Sequence, residues 1–448
     1  MIRTRFDNRK ITRFATLVLG GATLAFLSGC KLVEKFHQVF SLSGPQSTYV
    51  TAGPVAQEQW SLFMVTVYVT AFIFLIVGGI LAYAQIKFRA KPDGGEKTER
   101  PVQGHGNPII EMGLIVASVA LLVIIAIPTL KDIWYTHDVP EAEKADAMDV
   151  TATGYQWWFK FDYENLPVKN PDGTDGANLA TANELVVPAG KPVRVHLRTV
   201  DVIHSFWIPK LSGKVDMIPN RANFLWFKAD KPGYYYGQCA EYCGDSHAVM
   251  RFRVIALDKA GYDRWLENQQ QPAHNARAAN GAASDGGPLL VEFASMKNTG
   301  PNSTLAGTPE FDANPFAAWQ DKQKILSDEN ATLVARGHQL FAEKTCFNCH
   351  TIRGHASKSG TPFGGMTAPN LTHVGARSSI AAGVLENSPE RMGQWLKDPE
   401  YFKPGNKMVH GIGGMAGYFK YENGVASPNI VLNDQEIAAL VAYLQSLK

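Results

Sequence analysis

Cysteine is scarce in this chain: five in 448 residues, at Cys30, Cys239, Cys243, Cys346 and Cys349. So few cannot build a disulfide scaffold. Charge of one sign is nearly absent too. The formal net charge is +2, which leaves a nucleic-acid partner without global electrostatic support. No internal repeat is present, which argues against a repeat-built fold. Histidine is missing from both long apolar runs described below.

What is present is local. "MIRTRFDNRKITR" is basic, "FATLVLGGATLAFL" is apolar, and "LSGC" follows. This is the layout of a secretory signal peptide, and the apolar run is shorter than the ~20 residues of a span. Two longer runs follow, from about Gln59 to Ile86 and from about Pro108 to Trp134. Each exceeds the ~20 residues a bilayer crossing needs. Lys87, Arg89, Lys91, Lys97 and Arg100 lie between them, whereas Asp132, Asp138, Glu141, Glu143 and Asp146 flank the second. Basic flanks favour the cytoplasm, so the chain is expected to dip in, turn, and return outside.

From about 148 to 257 the pattern is strand-like, with "ELVVPAGKPVRVHLRT" and "ANFLWFKAD" punctuated by Pro and Gly, which predicts a β-sandwich. "NQQQPAHNARAANGAASDGGP" has linker composition, and residues 289–326 give no firm signal. Beyond about 327 the pattern is helical. Ser327 or Asp328 offers a cap before Leu333, Val334, Leu340 and Phe341; Ser388 precedes Pro389; Asn433 with Glu436 is close to a capping box. The expected organisation is a leader (1–29), an exterior arm (30–57), a transmembrane hairpin (58–135), a copper domain (148–268), a linker (269–326) and a helical haem domain (327–448).

Those last two names come from the cysteines. "CFNCH", Cys346 to His350, has the C-x-x-C-H spacing of covalent c-type haem attachment. Cys346 and Cys349 bind the vinyl groups and His350 the iron. A distant Met or His supplies the sixth ligand. Met408, in the loop "KPGNKM", is the first candidate, with Met366, Met392, Met415 and His410 as competitors. His338, His355 and His373 read as packing or solvent residues. "CAEYCGDSHAVM" places Cys239, Cys243, His247 and Met250 within one stretch. Soft thiolates, imidazole and thioether favour copper over hard ions, with zinc and a disulfide as the other possibilities. Two thiolates can bridge two coppers, and "DVIHSFWIP" supplies a second imidazole, His204. His196 reads as a structural strand residue.

With "GYQWWFKFDY", "DVIHSFWIPKLSGKVDMIPNR", "CAEYCGDSHAVM", "CFNCH" and "KPGNKM" in this order, the chain resembles subunit II of the haem-copper cytochrome c oxidases, in the caa-type form with a C-terminal cytochrome c domain. The resemblance covers nearly its whole length. It implies a multidomain membrane protein: a two-helix transmembrane hairpin, a cupredoxin-like β-sandwich and an all-α cytochrome c domain. It implies a binuclear copper centre, CuA, with Cys239 and Cys243 bridging, His204 and His247 terminal, Met250 as weak thioether ligand, and Glu241 binding through its carbonyl. The Glu241 side chain would reach a magnesium ion shared with subunit I. Trp157 would be the aromatic through which electrons reach copper; from position alone an exposed Trp beside a redox site is a plausible contact, and a structural Trp is equally plausible. Separately, Leu27-Ser28-Gly29-Cys30 resembles a bacterial lipoprotein cleavage box, which implies that Cys30 is the lipidated first residue of the mature chain. Glu111, the one acidic residue inside a span, would stand at the mouth of a proton-uptake channel; from position alone it could equally touch water at the interface. Phe159 replaces a usual Trp, the second span lacks the usual Trp-Thr pair, and Val409 replaces a usual proline.

The expected role is the electron-input subunit of a terminal oxidase in a bacterial inner membrane, with both metal domains on the outer face. Electrons would pass from cytochrome c, or from a cytochrome c-reducing complex, through haem and copper to subunit I, where oxygen is reduced with proton translocation. A nitric-oxide reductase subunit with the same copper centre is the alternative. A quinol oxidase subunit would lack the copper ligands, and a copper-delivery lipoprotein would lack both hairpin and haem.

Overall fold

The computed structural model describes residues 44–89, 104, 106–169, 174–273, 314–324, 330–412, 414–422 and 425–448. Cys30, the leader and most of the basic segment between the apolar runs lie outside these residues.

Helices α1 (Pro54–Lys87) and α2 (Pro108–His137) are the two apolar runs, each opening on proline, whose missing N–H costs nothing in a first turn. Both are long and apolar enough to cross a membrane, and protein buries neither apolar stretch. Lipid offers no partner for stray hydroxyls. Three in the spans bond back to their own helices: Thr66 to the Leu62 carbonyl, Ser118 to that of Leu114, and Thr129 to that of Ile125.

A short 3-10 turn (Glu141–Asp146) leads into ten strands: β1 (Met148–Tyr155), β2 (Trp158–Lys169), β3 (Asp175–Ala182), β4 (Glu184–Pro188), β5 (Val193–Thr199), β6 (His204–Trp207), β7 (Lys214–Met217), β8 (Asn223–Phe227), β9 (Gly233–Cys239) and β10 (Arg251–Leu257). They form two sheets, ordered β3-β2-β1-β5-β8 and β4-β10-β9-β6-β7. β1 runs parallel to β5 and β10 parallel to β4; the other pairs are antiparallel. The alternation in "WFKFDY" explains the layering: Phe159, Phe161 and Tyr163 point inward while Lys160 and Asp162 pair outside at 2.8 Å. Phe206 and Phe252 from the second sheet stack at 4.5 Å and meet Phe159 and Phe161. Each such buried ring contributes roughly 1.5–3 kcal/mol.

The sandwich is fastened to the hairpin. Fully buried Trp226 donates its indole N–H to the Tyr135 carbonyl at 3.0 Å. Arg194 pairs with Asp138 and Lys228 with Glu143, both at 2.7 Å. Helix α3 (Lys259–Gln270), capped by Asp258, closes the far side of the sandwich with Trp265 against Tyr163.

Helix α4 (Pro315–Lys322) occupies part of the stretch that gave no signal in the sequence. Its Trp319 joins the sandwich core. The C-terminal domain then has α5 (Ala331–Glu343), α6 (Pro389–Lys397), α7 (Pro399–Phe402), α8 (Lys407–His410) and α9 (Asp434–Ser446). Asn330 caps α5, not Ser327 or Asp328, which lie outside the described residues. Ser388 caps α6 and the Asn433/Glu436 box caps α9, as expected. α5 crosses α9 at Gly337, where a Cβ would collide with the Ala439 carbonyl. Three strand pairs join these helices: β11 (Thr351–Ala356) with β12 (Pro362–Gly364), β13 (Ser379–Ile380) with β14 (Leu385–Glu386), and β15 (Phe419–Glu422) with β16 (Val425–Pro428). A uniformly helical reading missed them, because strands this short carry no periodicity.

Candidate metal centres

β6 begins on His204, β9 ends on Cys239, and the β9–β10 loop carries Glu241, Cys243, His247 and Met250. One end of the second sheet therefore gathers all six. The two sulfurs are 3.8 Å apart, and both cysteines are free and buried. His204 Nδ1 lies 3.9 Å from Cys239 Sγ and His247 Nδ1 3.6 Å from Cys243 Sγ. The Glu241 carbonyl accepts from Cys239 Sγ at 3.2 Å, and Met250 Sδ stands 3.8 Å from Cys243 Sγ. A single tetrahedral ion takes four donors. Here a central sulfur pair has an imidazole and a weaker donor on each flank, which fits two soft metals bridged by thiolates.

Sequence reasoning missed Asp201. His204 Nε2–H donates to its carboxylate at 2.8 Å, which turns Nδ1 toward Cys239. Asp201 is itself fixed by the N–H groups of Gln156 and Val202, both at 2.7 Å. Burial pushes the Asp201 pKa up, but the hydrogen bonds from His204, Gln156 and Val202 outweigh it and hold the group below its ordinary range. Burial likewise opposes charge on His204, yet Asp201 and Cys239 hold its pKa above the usual value. Between the sulfurs, the hydrogen bond from Cys243 drives the Cys239 thiol down, and the same contact drives Cys243 up. An aspartate three residues before a ligating histidine was the only available signal.

In the C-terminal domain Cys346 and Cys349 flank a 3-10 turn, and the His350 N–H caps it on the Cys346 carbonyl at 3.0 Å. His350 Nδ1–H donates to the Pro369 carbonyl at 2.8 Å, fixing the ring and leaving Nε2 as the ligating nitrogen. Burial lowers the His350 pKa and raises that of Cys346 to about 12. Met408 sits on α8, half-buried against the same apolar cluster as Cys346 and Phe347. Among its competitors, Met366 is 84% exposed, Met392 is in the core beside Gln445, and His410 pairs with Glu400 at 3.0 Å. Cys346, Cys349 and His350 fit a covalently held c-type haem, and Met408 lies in the same apolar cluster.

Trp157 departs from expectation. It is 5% exposed, not open to solvent, because the C-terminal domain lies over it. Its indole N–H donates to the Cys243 carbonyl at 3.0 Å. Gly405, from the loop preceding Met408, faces it: a Cβ there would stand 3.1 Å from the indole and 3.0 Å from Asp245, and its φ of +73° also favours glycine. Around this contact, Ser246 Oγ donates to the Pro404 carbonyl at 2.7 Å and buried Lys403 Nζ to the Val249 carbonyl at 2.6 Å. The loop preceding α8 and Met408 thus rests on the loop carrying Cys243 and Met250. The Glu241 and Glu111 side chains are exposed, Glu111 in the first turn of α2. His196 is a strand residue bonded to Asp149 at 2.9 Å.

Residues 148–257 match the family model described as cytochrome c oxidase subunit II, periplasmic domain, and residues 334–448 match that described as cytochrome c. A protein named cytochrome c oxidase subunit 2 from Alkalihalophilus pseudofirmus is 30% identical over 425 residues, covering 94% of this chain and 94% of its own. One of the same name from Bacillus sp. (strain PS3) is 30% identical over 414 residues, 90% of this chain and 91% of its own. The solved periplasmic domain of subunit II of cytochrome oxidase from Bradyrhizobium japonicum is 35% identical, covering 28% of this chain and 93% of that one, with a TM-score of 0.24.

Proposed function

The chain belongs to the cytochrome c oxidase subunit II family, and from that premise we propose that it carries electrons from a cytochrome c-type donor, or a cytochrome c-reducing complex, to subunit I. Cys346, Cys349, His350 and Met408 would hold a haem, and Cys239, Cys243, His204, His247, Met250 and the Glu241 carbonyl would hold two coppers, with Trp157 as the proposed relay between the two sites. The copper pair, when bound, supplies a one-electron carrier whose geometry changes little on reduction. The chain's residues do the rest: Asp201 and Pro369 orient the two key imidazoles, and Trp157 bridges the loops of Met408 and Cys243. Oxygen is reduced in the partner subunit, with proton translocation. Domain limits of 148–268 for copper and 327–448 for haem go with this assignment.

Further parts of the proposal are magnesium shared with subunit I through the Glu241 side chain, Glu111 at a proton-channel mouth, and a lipid on Cys30. So is the placing of both metal domains on the outer face of a bacterial inner membrane. The observation that carries the electron route is the donor arrangement itself, with imidazoles on both flanks of two sulfurs 3.8 Å apart. Electron paramagnetic resonance of the purified membrane complex tests it. A mixed-valence pattern with more than four copper lines is expected, and a four-line single-copper pattern would sink it. Oxygen consumption by the same preparation, set against nitric-oxide consumption, separates the oxidase from the reductase.

A further inference from the structure

Away from the copper ligands, one carboxylate leaves its own domain. Glu184 opens β4 of the sandwich and is 5% exposed. Its side-chain partners all come from beyond residue 314. The N–H and Oγ–H of Ser378 and the N–H of Ser379 donate to Oε1, and the Trp319 indole N–H donates to Oε2 at 3.2 Å. The half-buried Arg377 adds electrostatic attraction without a direct bond. Two further sandwich residues grip the adjoining loop: Arg253 Nη2 donates to the Gly383 carbonyl at 2.8 Å, and the Arg251 N–H to that of Ala382 at 3.1 Å. Tyr234 and Ser378 share a hydroxyl contact at 2.8 Å.

We propose that Glu184 is a positioning residue, a latch that fixes the haem domain in the pose holding Gly405 against Trp157. The physical ground is mutual satisfaction. A buried carboxylate without donors is costly, and so are backbone and indole N–H groups without an acceptor. Apart, each half is poorly satisfied unless water reaches it; together they close in one orientation. Apolar contacts alone tolerate sliding, whereas a carboxylate seated on adjacent amides does not. Glu184 touches no metal ligand, so its effect on the copper centre runs through the placing of the domain. The consequence for electron transfer rests on the assignment of Trp157 and haem given above. With haem and copper bound, the latched pose would keep Trp157 covered between the two sites for a one-electron exchange, the haem oxidised and the copper pair reduced, in which no bond or proton changes hands.

The test uses the full chain in its membrane complex. Hydroxyl-radical footprinting with mass spectrometry reads the accessibility of Trp157, and flash-initiated kinetics reads haem-to-copper transfer. Glu184→Gln places an amide opposite the donors. It is expected to raise Trp157 labelling at least threefold and slow transfer at least tenfold, with haem and copper spectra unchanged. Glu184→Asp should recover part of both losses. Ser378→Ala, a milder change from the other side, should move both readouts in the same direction, and it decides the matter if Glu184→Gln does not fold. Trp157 labelling as low as in the parent would overturn the latch. Raised labelling with unaltered transfer would keep the latch and count against the Trp157 route instead.

Discussion

Asp201 acts on copper without touching it. By accepting from His204 Nε2 it selects the tautomer with Nδ1 open, and its own two backbone donors keep it from turning. Partners of this kind are worth about 10–100-fold in metal affinity. Asp201→Ala is therefore expected to weaken copper binding by about that factor while the haem absorbance stays unchanged, as chelator competition on the purified protein would show. Loss of less than about twofold would mean that the sulfur pair alone fixes His204. Met408→Ala belongs to the same scale. It should abolish the methionine–iron charge-transfer absorption and lower the haem potential, since a Met/His pair raises it; an unchanged band assigns the sixth position elsewhere. The residues that gather at the sulfur pair could be named from the sequence because soft donors stand close together in "CAEYCGDSHAVM", while His204 stands in a separate apolar stretch. Trp157 was legible as a residue and illegible as a surface, because Gly405, which covers it, lies in another domain. Asp201 was passed over because no spacing rule marks a carboxylate that orients a ligand.

Elements were legible where caps and periodicity agree. Asn433 with Glu436, and Ser388 with Pro389, fixed helix starts that the structure reproduces. β13 and β14, of two residues each, offer nothing to read. Between elements, the C-terminal domain holds two histidines whose protonation burial opposes. His355 of β11 lies beside His338 of α5 and accepts from Tyr443 of α9 at 2.8 Å. Burial first, then His338, lowers its pKa to about 4. His373 donates to the Gln271 carbonyl at 3.2 Å and is lowered to about 4, by burial first and then by the Arg353 charge. The unfolded chain binds these protons at about pH 6.5, the folded chain only near 4, so acid favours unfolding. Stability from the neutral rings is complete above about pH 6.5 and is lost as pH falls toward 4. Thermal melting followed at the haem band should show a midpoint that drops over that window, and His355→Gln should flatten the drop. A midpoint that rises on acidification contradicts it.

At the scale of the molecule, the order of hairpin, sandwich and haem domain could be read from the chain, but their mutual seating could not. That seating depends on pairs such as Glu184 with Ser378 and Ser246 with Pro404, far apart in sequence and unmarked by any motif. Because these contacts are short and largely buried, salt screens them little. Haem-to-copper transfer within the complex is expected to change less than about twofold between about 20 and 300 mM salt, over which exposed charges are progressively screened. Flash-initiated kinetics at the two concentrations checks this, and a steep decline would mean a domain that docks and leaves. A donor held by its own chain acts at an effective concentration on the order of millimolar even on a loose tether, and the seam between Ser246 and Pro404 makes it a resident. On the proposed route, delivery to copper would then be first order and would not wait on encounter. Supply would remain bimolecular, and with Trp157 covered loading and delivery would use different surfaces of one molecule.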